Sequence, residues 1–348
     1  MQGELIVQAD HVPPELATRA QFYPWQTLPQ QQIARQYRQD KLPHALLLCG
    51  QADLGKRGFA SAMAQLLLCR APVDETACGE CPECALIGAG THPDLRIVQP
   101  EAPSKQIKID QIRSLIEWSG HTAQRNGLKI AIVHPAETMN NATSNALLKC
   151  LEEPPGSTLM MLVTRQPGRL LPTIRSRCQR VNFALPSPEL VLPWLAERLP
   201  DNQNLALLLT IAGGAPLAVL NHHDEQYLAR RQVIAKSLAA LLTAESSAAE
   251  AYARLAADEP VMVVNLMLEV VADALRWQVS EVDGTVKNQD LASHVKVIGQ
   301  SVSKDFLFRL LDRLMQEARQ LSSTSNPSPQ LLLEALLDAV SHRQLEVF

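Results

Sequence analysis

Four cysteines follow one another closely in the pattern C-x₈-C-x₂-C-x₂-C: Cys69, Cys78, Cys81 and Cys84. Two overlapping C-x-x-C steps, with Gly79, Pro82 and Glu83 in the turns, let thiolates converge on one point. This spacing predicts a closed, tetrahedral, structural zinc site. Such a site leaves no coordination position for a substrate, so catalysis by the metal is not implied. Free or disulfide-bonded thiols are the alternative interpretation.

A glycine-rich loop is the second pattern that could do chemistry. An apolar run at residues 45–49 predicts a buried strand, and a helical pattern follows the loop. The layout is that of a P-loop, whose backbone N–H groups and lysine bind phosphates. The corresponding residues are Gly50, Gly55 and Lys56. The pattern is incomplete, because Asp53 adds a negative charge beside the phosphate path and Arg57 replaces the Ser or Thr that would hold Mg²⁺. It therefore predicts a fold more strongly than an ATPase.

Lys56 leaves two interpretations open. As a remnant of a nucleotide site it could still bind a nucleotide weakly. As a structural residue it could cap a neighbouring carboxylate such as Asp53.

The composition sets limits on the class of protein. The 348 residues suffice for two or three domains, and 46% apolar with 4% aromatic residues favours a largely helical protein. A net charge of −4 gives no general attraction to nucleic acid or membranes. The sequence shows neither a membrane-spanning apolar run nor a secretory signal at its start, so we expect a cytoplasmic protein. Cys49, Cys150 and Cys178 fit single, buried, reduced thiols.

The elements that must position these residues alternate between strands and helices. Strands are predicted at residues 45–49, 95–98, 128–133 and 159–163, and helices are predicted between them, including one at 144–153. This alternation predicts a parallel sheet with helices on both faces. From about Pro186 onward only helical patterns remain, namely 186–199, 204–212, 215–220, 227–242, 261–279, 304–321 and 329–342. Ser-rich breaks at 245–248 and 322–328 are interpreted as linkers.

Several longer motifs carry a resemblance to a known family. They are Asn145-Ala-Leu-Leu-Lys-Cys-Leu-Glu-Glu-Pro-Pro155, Ser176-Arg177-Cys178, Thr91-His-Pro-Asp94 and Tyr23-Pro-Trp25, together with the four-cysteine insertion. In this order they resemble the clamp-loader subunits of bacterial DNA polymerase III, which are AAA+ proteins. The resemblance spans roughly residues 22–220, and beyond that it rests on length and helical pattern.

The resemblance implies an architecture and partners. After an N-terminal extension (1–21), residues 22–184 would form an α/β P-loop domain of AAA+ type with a parallel sheet and an inserted zinc module (69–84). A small helical lid (185–226) and an all-helical collar domain for assembly (227–348) would follow. Partners would be the motor (gamma/tau) and delta subunits and, through the assembled complex, the sliding clamp and primer–template DNA. No membrane is involved.

The resemblance also implies that this subunit does not hydrolyse ATP. The Walker-B Asp-Glu of active relatives falls on His134-Pro135, and Leu217 replaces a phosphate-sensing Arg of the lid. Thr164-Arg165 matches the first sensor only in part. With Arg57, three functions are missing together, so productive ATP binding is not expected. The alternatives are a competent clamp-loader ATPase of the motor-subunit type and a scaffold whose cysteine module contacts protein or DNA.

Arg177 has a different expected role. In clamp-loader subunits the Ser-Arg-Cys motif presents an arginine finger to the neighbour's γ-phosphate. The resemblance places Arg177 after the last strand, where such a finger lies. An ordinary interface or surface Arg is the alternative. Residues 165–180 carry five arginines and no acid: Arg165, Arg169, Arg175, Arg177 and Arg180. This stretch fits either a positive surface near DNA or phosphate, or a solvated or subunit-interface face.

Overall fold

The computed structural model describes residues 21–102, 104–125, 127–154, 156–221, 225–280, 286–321 and 328–344. One compact unit extends to Pro200 and includes Gly214–Asn221, and the other comprises Asp201–Gly213 and the chain beyond Asn221. The three-domain division expected from the sequence stays a prediction. The proposed N-terminal extension, apart from Gln21, and most of the 322–328 linker lie outside the described residues.

The first unit is built around a parallel sheet, as the sequence predicts. Its strands are β1 (Ala45–Gly50), β2 (Leu95–Val98), β3 (Lys129–Val133), β4 (Thr158–Thr164) and β5 (Gln179–Phe183), in the spatial order β2-β3-β4-β1-β5. The central strands β3 and β4 are buried along their whole length, which explains their nearly continuous apolar sequences. The carboxyl ends of all five strands point the same way, so the segments after β1, β3 and β4 meet at one edge.

Fifteen α-helices lie in the described parts of the chain. They are α1 (Thr27–Arg38), α2 (Lys56–Leu68), α3 (Pro82–Gly88), α4 (Ile109–Gly120), α5 (Asn141–Glu152), α6 (Pro172–Arg177), α7 (Pro188–Arg198), α8 (Leu205–Ile211), α9 (Pro216–Asn221), α10 (Glu225–Leu242), α11 (Ala248–Leu255), α12 (Pro260–Ser280), α13 (Ala292–Ser301), α14 (Lys304–Leu321) and α15 (Pro329–Ser341). In these regions, no helix is both long and apolar enough to cross a membrane.

Helices cover the sheet on both faces, because alternate side chains of each strand point to opposite sides. Leu46 and Leu48 of β1 pack in the same apolar layer as residues of α1 and α2. Leu47 and Cys49 pack in the other layer, with residues of α4, α5 and α6. The result is a three-layer α/β domain, which confirms the predicted fold class.

The structure corrects the sequence prediction at two places in this unit. Strand β5 was not predicted, so Arg177 lies directly before the last strand and not after it. Arg180 and Asn182 are exposed and Val181 between them is buried, so the segment has no continuous apolar run that would indicate a buried strand. Helix α5 begins at Asn141, ahead of the predicted start, because the Asn140 side chain accepts a hydrogen bond from the Thr143 N–H (2.9 Å) and caps it.

The second unit is helical in its described part, as expected. Residues of α10, α11, α12, α13, α14 and α15 form one continuous apolar core. Helices α11 and α13 were not predicted, and α11 begins within the supposed linker at 245–248, where Ser247 caps it. Arg231, almost fully buried, pairs with Asp290 (3.0 Å) and donates to the Asn288 side-chain oxygen (2.6 Å).

Candidate nucleotide-site remnant and its neighbours

The two P-loop glycines are required by close packing. A Cβ at Gly50 would lie 2.6 Å from the Phe183 carbonyl oxygen in β5. A Cβ at Gly55 would lie 2.5 Å from the Tyr23 ring, and Gly55 has a φ of 75°, which a side chain would strain. The glycines of the motif are therefore explained without a nucleotide.

The backbone of the loop is bonded to other parts of the same unit. The Leu54 carbonyl accepts hydrogen bonds from Trp25 Nε1 (3.1 Å) and Gln26 Nε2 (3.0 Å). The Leu217 N–H, at the start of α9, donates to the Asp53 carbonyl (3.1 Å). Leu217, which stands where the resemblance expects the sensor arginine of the lid, therefore contributes a main-chain hydrogen bond and no charge. These contacts fix the loop from two sides.

Lys56 is turned toward the loop itself. Its side chain is buried, and Nζ donates to the Gln51 carbonyl oxygen at 2.5 Å. A lysine that binds the β- and γ-phosphates of a nucleotide would have to point its ammonium group at them. The proposed capping of Asp53 stays a prediction.

The end of β3 presents an imidazole where active relatives carry carboxylates. Burial, together with the positive charges of Arg57, Lys56 and Arg165, lowers the pKa of His134 from 6.5 to about 4. The imidazole is therefore neutral at physiological pH. Pro135, the next residue, follows through a cis peptide bond and has no ionisable side chain.

The partial match to the first sensor is also accounted for by internal contacts. Glu137 is buried, and its Oε1 accepts from the Arg165 N–H (3.3 Å) and lies 3.6 Å from Arg165 Nε. The Thr164 hydroxyl accepts from the Gln166 N–H (3.0 Å). The Glu137 carboxylate is thus paired with Arg165, which follows β4.

The chemistry that these residues allow is limited. Phosphoryl transfer needs Mg²⁺ held by a hydroxyl and a carboxylate, together with a residue that orients the nucleophile. Arg57, His134 and Pro135 stand where the resemblance expects those groups, and they supply a cation, a neutral ring and an apolar ring.

Arg177 ends α6 and keeps a partly exposed side chain. Its Nη2 lies 2.7 Å from Glu152 Oε1 at the end of α5, and its Nη1 donates to the Thr173 carbonyl oxygen (3.1 Å). The side chains of Arg177 and Glu152 are 35% and 48% exposed, so this ion pair is open to solvent. Exposed pairs of this kind are weak and easily exchanged. Arg165, Arg169 and Arg180 of the same stretch are also exposed.

The four predicted cysteines come together. Their sulfur atoms all lie within 4.8 Å of one another, and three of the separations are 3.5, 3.9 and 3.9 Å. Four sulfurs at the usual Zn–S distance on a tetrahedron are separated by about 3.8 Å. All four are free thiols, so the disulfide alternative is not what the structure shows. Backbone N–H groups of Cys78 and Cys81 point at the sulfurs of Cys69 and Cys78, at 3.3 Å in each case.

Sequence reasoning missed the residues that support these sites. Glu83 between two of the cysteines was assigned only to turn formation, and Gln26 beneath the P-loop and Glu152 beside Arg177 were not singled out. A charged residue inside a cysteine-rich turn was one available signal, since acids are rarely buried without partners. The other two depend on contacts distant in sequence, which no local pattern reveals.

Two family models match the chain in succession. Residues 25–187 match "DNA polymerase III, delta subunit", and residues 225–342 match "DNA polymerase III, delta subunit, C terminal". A DNA polymerase III subunit delta' from Pseudomonas aeruginosa is 36% identical over 324 residues, which is 91% of this chain and 97% of the relative. The chain belongs to the delta prime family of DNA polymerase III clamp-loader subunits.

Other relatives agree with this family. The delta prime subunit of Escherichia coli K12 is 30% identical over 326 residues, 92% of this chain and 96% of the relative. A DNA polymerase III subunit gamma/tau of Mycobacterium bovis is 28% identical over 191 residues, 53% of this chain and 33% of the relative. The similarity to delta prime subunits thus covers nearly the whole chain, including the helical second unit.

Proposed function

We propose that this delta prime family member does not hydrolyse ATP and contributes Arg177 to the active site of a neighbouring subunit. The observation that carries the proposal is a contrast within one domain. Where the resemblance expects metal ligands the chain carries Arg57 and a neutral His134, whereas Arg177 at the end of α6 keeps an accessible guanidinium.

The absence of hydrolysis follows from charge and from hydrogen bonding. A Mg²⁺ ion at the P-loop would face Arg57 and a neutral His134, and neither can act as an oxygen ligand. The lysine and two loop carbonyls are engaged within the chain. Productive ATP binding is therefore not expected.

The role of Arg177 follows from the properties of its side chain. A guanidinium remains charged at any physiological pH and contacts phosphate oxygens at two points. Its partner Glu152 offers one negative charge in a solvent-exposed pair, whereas a γ-phosphate at a dry subunit interface offers more charge and less screening. The exchange of partners on assembly is therefore favourable.

The partners follow from the family. The chain would assemble with motor (gamma/tau) and delta subunits, as a component of the DNA-directed DNA polymerase holoenzyme. It would act on the sliding clamp and primer–template DNA through that complex. The arginines of residues 165–180 are candidates for contacts with phosphate, and a cytoplasmic location fits this role.

We also infer that Cys69, Cys78, Cys81 and Cys84 hold a structural zinc ion. The sulfur separations and the N–H groups directed at two sulfurs support this. Zinc bound by four thiolates would fold the module locally and would supply no reaction step.

The experiment that tests the function compares Arg177→Ala with wild type in a reconstituted clamp loader, with clamp and primed DNA present. We expect the stimulated ATPase rate to fall by about 10²-fold or more, because a finger acting in trans is worth about 10³- to 10⁵-fold in related chemistry. Arg113→Ala, which removes an exposed arginine of α4 outside the 165–180 stretch, is the control and should stay within about twofold. Size analysis confirms assembly of each complex.

An unchanged rate with Arg177→Ala in an intact complex would contradict the finger. Single-turnover hydrolysis of ATP by the isolated chain with Mg²⁺ would contradict the other half of the proposal and support a competent ATPase.

A further inference from the structure

We propose that Glu83 anchors the cysteine module to the α/β domain and thereby slows the release of its metal. This proposal rests on the proposed zinc site. Glu83 lies on α3, between Cys81 and Cys84, and its side chain is fully buried. A buried carboxylate is strongly destabilising unless charged or hydrogen-bonding partners surround it. Its partners therefore show what holds the module in place.

Three basic side chains surround the Glu83 carboxylate. Arg70, next to Cys69, places Nη2 at 2.7 Å from Oε1. His92, just before β2, places Nε2 at 3.1 Å from Oε2. Arg125, in the segment before β3, donates from Nε to Oε2 (3.1 Å) and from Nη2 to Oε1 (3.1 Å). One carboxylate thus joins the module to two separate segments of the domain.

Asp94 fixes the orientation of the His92 ring. His92 Nδ1 accepts a hydrogen bond from the Asp94 N–H at 3.1 Å. A neutral imidazole then carries its proton on Nε2 and donates it to Glu83. Asp94 is itself buried and accepts from the N–H groups of Gln124 and Arg125, both at 2.8 Å.

These contacts give a role to the Thr91-His-Pro-Asp94 motif, which the proposed function leaves without one. Asp94 holds the backbone of the 124–125 turn, and this places Arg125 against Glu83. His92 approaches the same carboxylate from the start of β2. The motif is a support for the cysteine module, and none of its atoms is a ligand of the four-sulfur cluster.

The position of Glu83 couples the anchor to the metal. Cys81 caps the start of α3, and Cys84 lies within its first turn and is fully buried. Unseating Glu83 would shift this short helix and move two of the four sulfurs. Residues outside the ligand set that orient ligands typically change metal affinity by about 10- to 100-fold when mutated.

The test is the rate of zinc transfer from full-length protein to an excess of a chromogenic chelator, 4-(2-pyridylazo)resorcinol, with total zinc measured in parallel. We expect Glu83→Gln to release zinc about tenfold faster than wild type or more. Glu80→Gln is the matched control, because Glu80 is an exposed acid of the same module, and it should release zinc at the wild-type rate. His92→Gln, which keeps a donor at similar reach, should lie between wild type and Glu83→Gln.

Far-UV circular dichroism and the denaturant midpoint show whether each variant is folded, and His92→Gln keeps the test available should Glu83→Gln not fold. If wild type contains zinc and both variants release it at the wild-type rate, the anchor is overturned and the proposed metal site is not. Wild type that contains no zinc would overturn the proposed metal site as well.

Discussion

Lys56 in the P-loop and Arg177 at the end of α6 belong to the same α/β domain, and they differ in the partners of their positive charges. Lys56 is buried and bonded to a carbonyl of its own loop. Arg177 is partly exposed and bonded to Glu152 through a pair open to solvent. The first cation is committed within the chain, whereas the second can exchange its partner.

Under the proposed function, this difference would reflect the loss of ATP hydrolysis at the P-loop and a role in a neighbouring subunit's site at Arg177. At the P-loop, Tyr23, Trp25 and Gln26 pack against or bond the loop, so the glycines and the loop conformation serve the fold. At Arg177 the two contacts given by the described residues, to Glu152 and to the Thr173 carbonyl, both lie at the surface. A charge kept at the surface with weak partners is suited to a site completed by another molecule.

After the loss expected for Arg177→Ala, the next largest effect concerns His134 at the P-loop edge. Its pKa in the folded state is about 4 and its ordinary value is 6.5, so the unfolded chain binds a proton between these values and the folded chain does not. Stability is therefore lost as the pH falls through 6.5 toward 4. Between pH 7 and pH 5 wild type should lose up to about 2 kcal/mol more than His134→Asn.

Denaturant unfolding at the two pH values measures this loss. His121→Asn, which removes an exposed histidine, is the control and should follow wild type. A His134→Asn variant with the same pH dependence as wild type would show that the imidazole is not held neutral beside Arg57 and Lys56.

A smaller effect is expected from Glu152, which pairs with Arg177 in the isolated chain. Because Arg177 has to leave this exposed pair to contact a γ-phosphate, and such pairs are worth about 0.2–1 kcal/mol, Glu152→Ala should raise the stimulated ATPase of the reconstituted loader by at most about two- to fivefold. Glu153→Ala, which removes the neighbouring acid, is the control and should leave the ATPase rate unchanged. In the Arg177→Ala background the Glu152→Ala change should have no effect, and the same change in rate there would show that Glu152 acts independently of Arg177.

The sequence was sufficient for much of the fold, for identifiable reasons. Strands such as β1 and β4 are buried on both faces, so their apolar runs are unmistakable. The cysteine spacing predicted the convergence of four sulfurs, because adjacent C-x-x-C turns leave few other arrangements. Strand β5 escaped prediction because it lies at the sheet edge and alternates buried with exposed residues over only a few positions.

The supporting contacts of the sites could not be predicted in the same way. Glu83 and Arg125 are 42 positions apart, and their pairing requires the module, β2 and the 124–125 turn to be assembled first. Gln26 reaches Leu54 across 28 positions for the same reason. Local patterns specify elements, whereas such contacts depend on how the elements pack.

The most direct test of the account compares Arg177→Ala with Lys56→Met in the reconstituted clamp loader, with clamp- and DNA-stimulated ATP hydrolysis as the measurement. Methionine keeps the apolar stem of Lys56 in its buried position and removes the charge together with the hydrogen bond to the Gln51 carbonyl. The account predicts that Arg177→Ala lowers the rate by about 10²-fold or more, while Lys56→Met leaves it within about twofold of wild type. The reverse pattern, a large loss with Lys56→Met and none with Arg177→Ala, would show that this chain uses its own P-loop and would contradict the account.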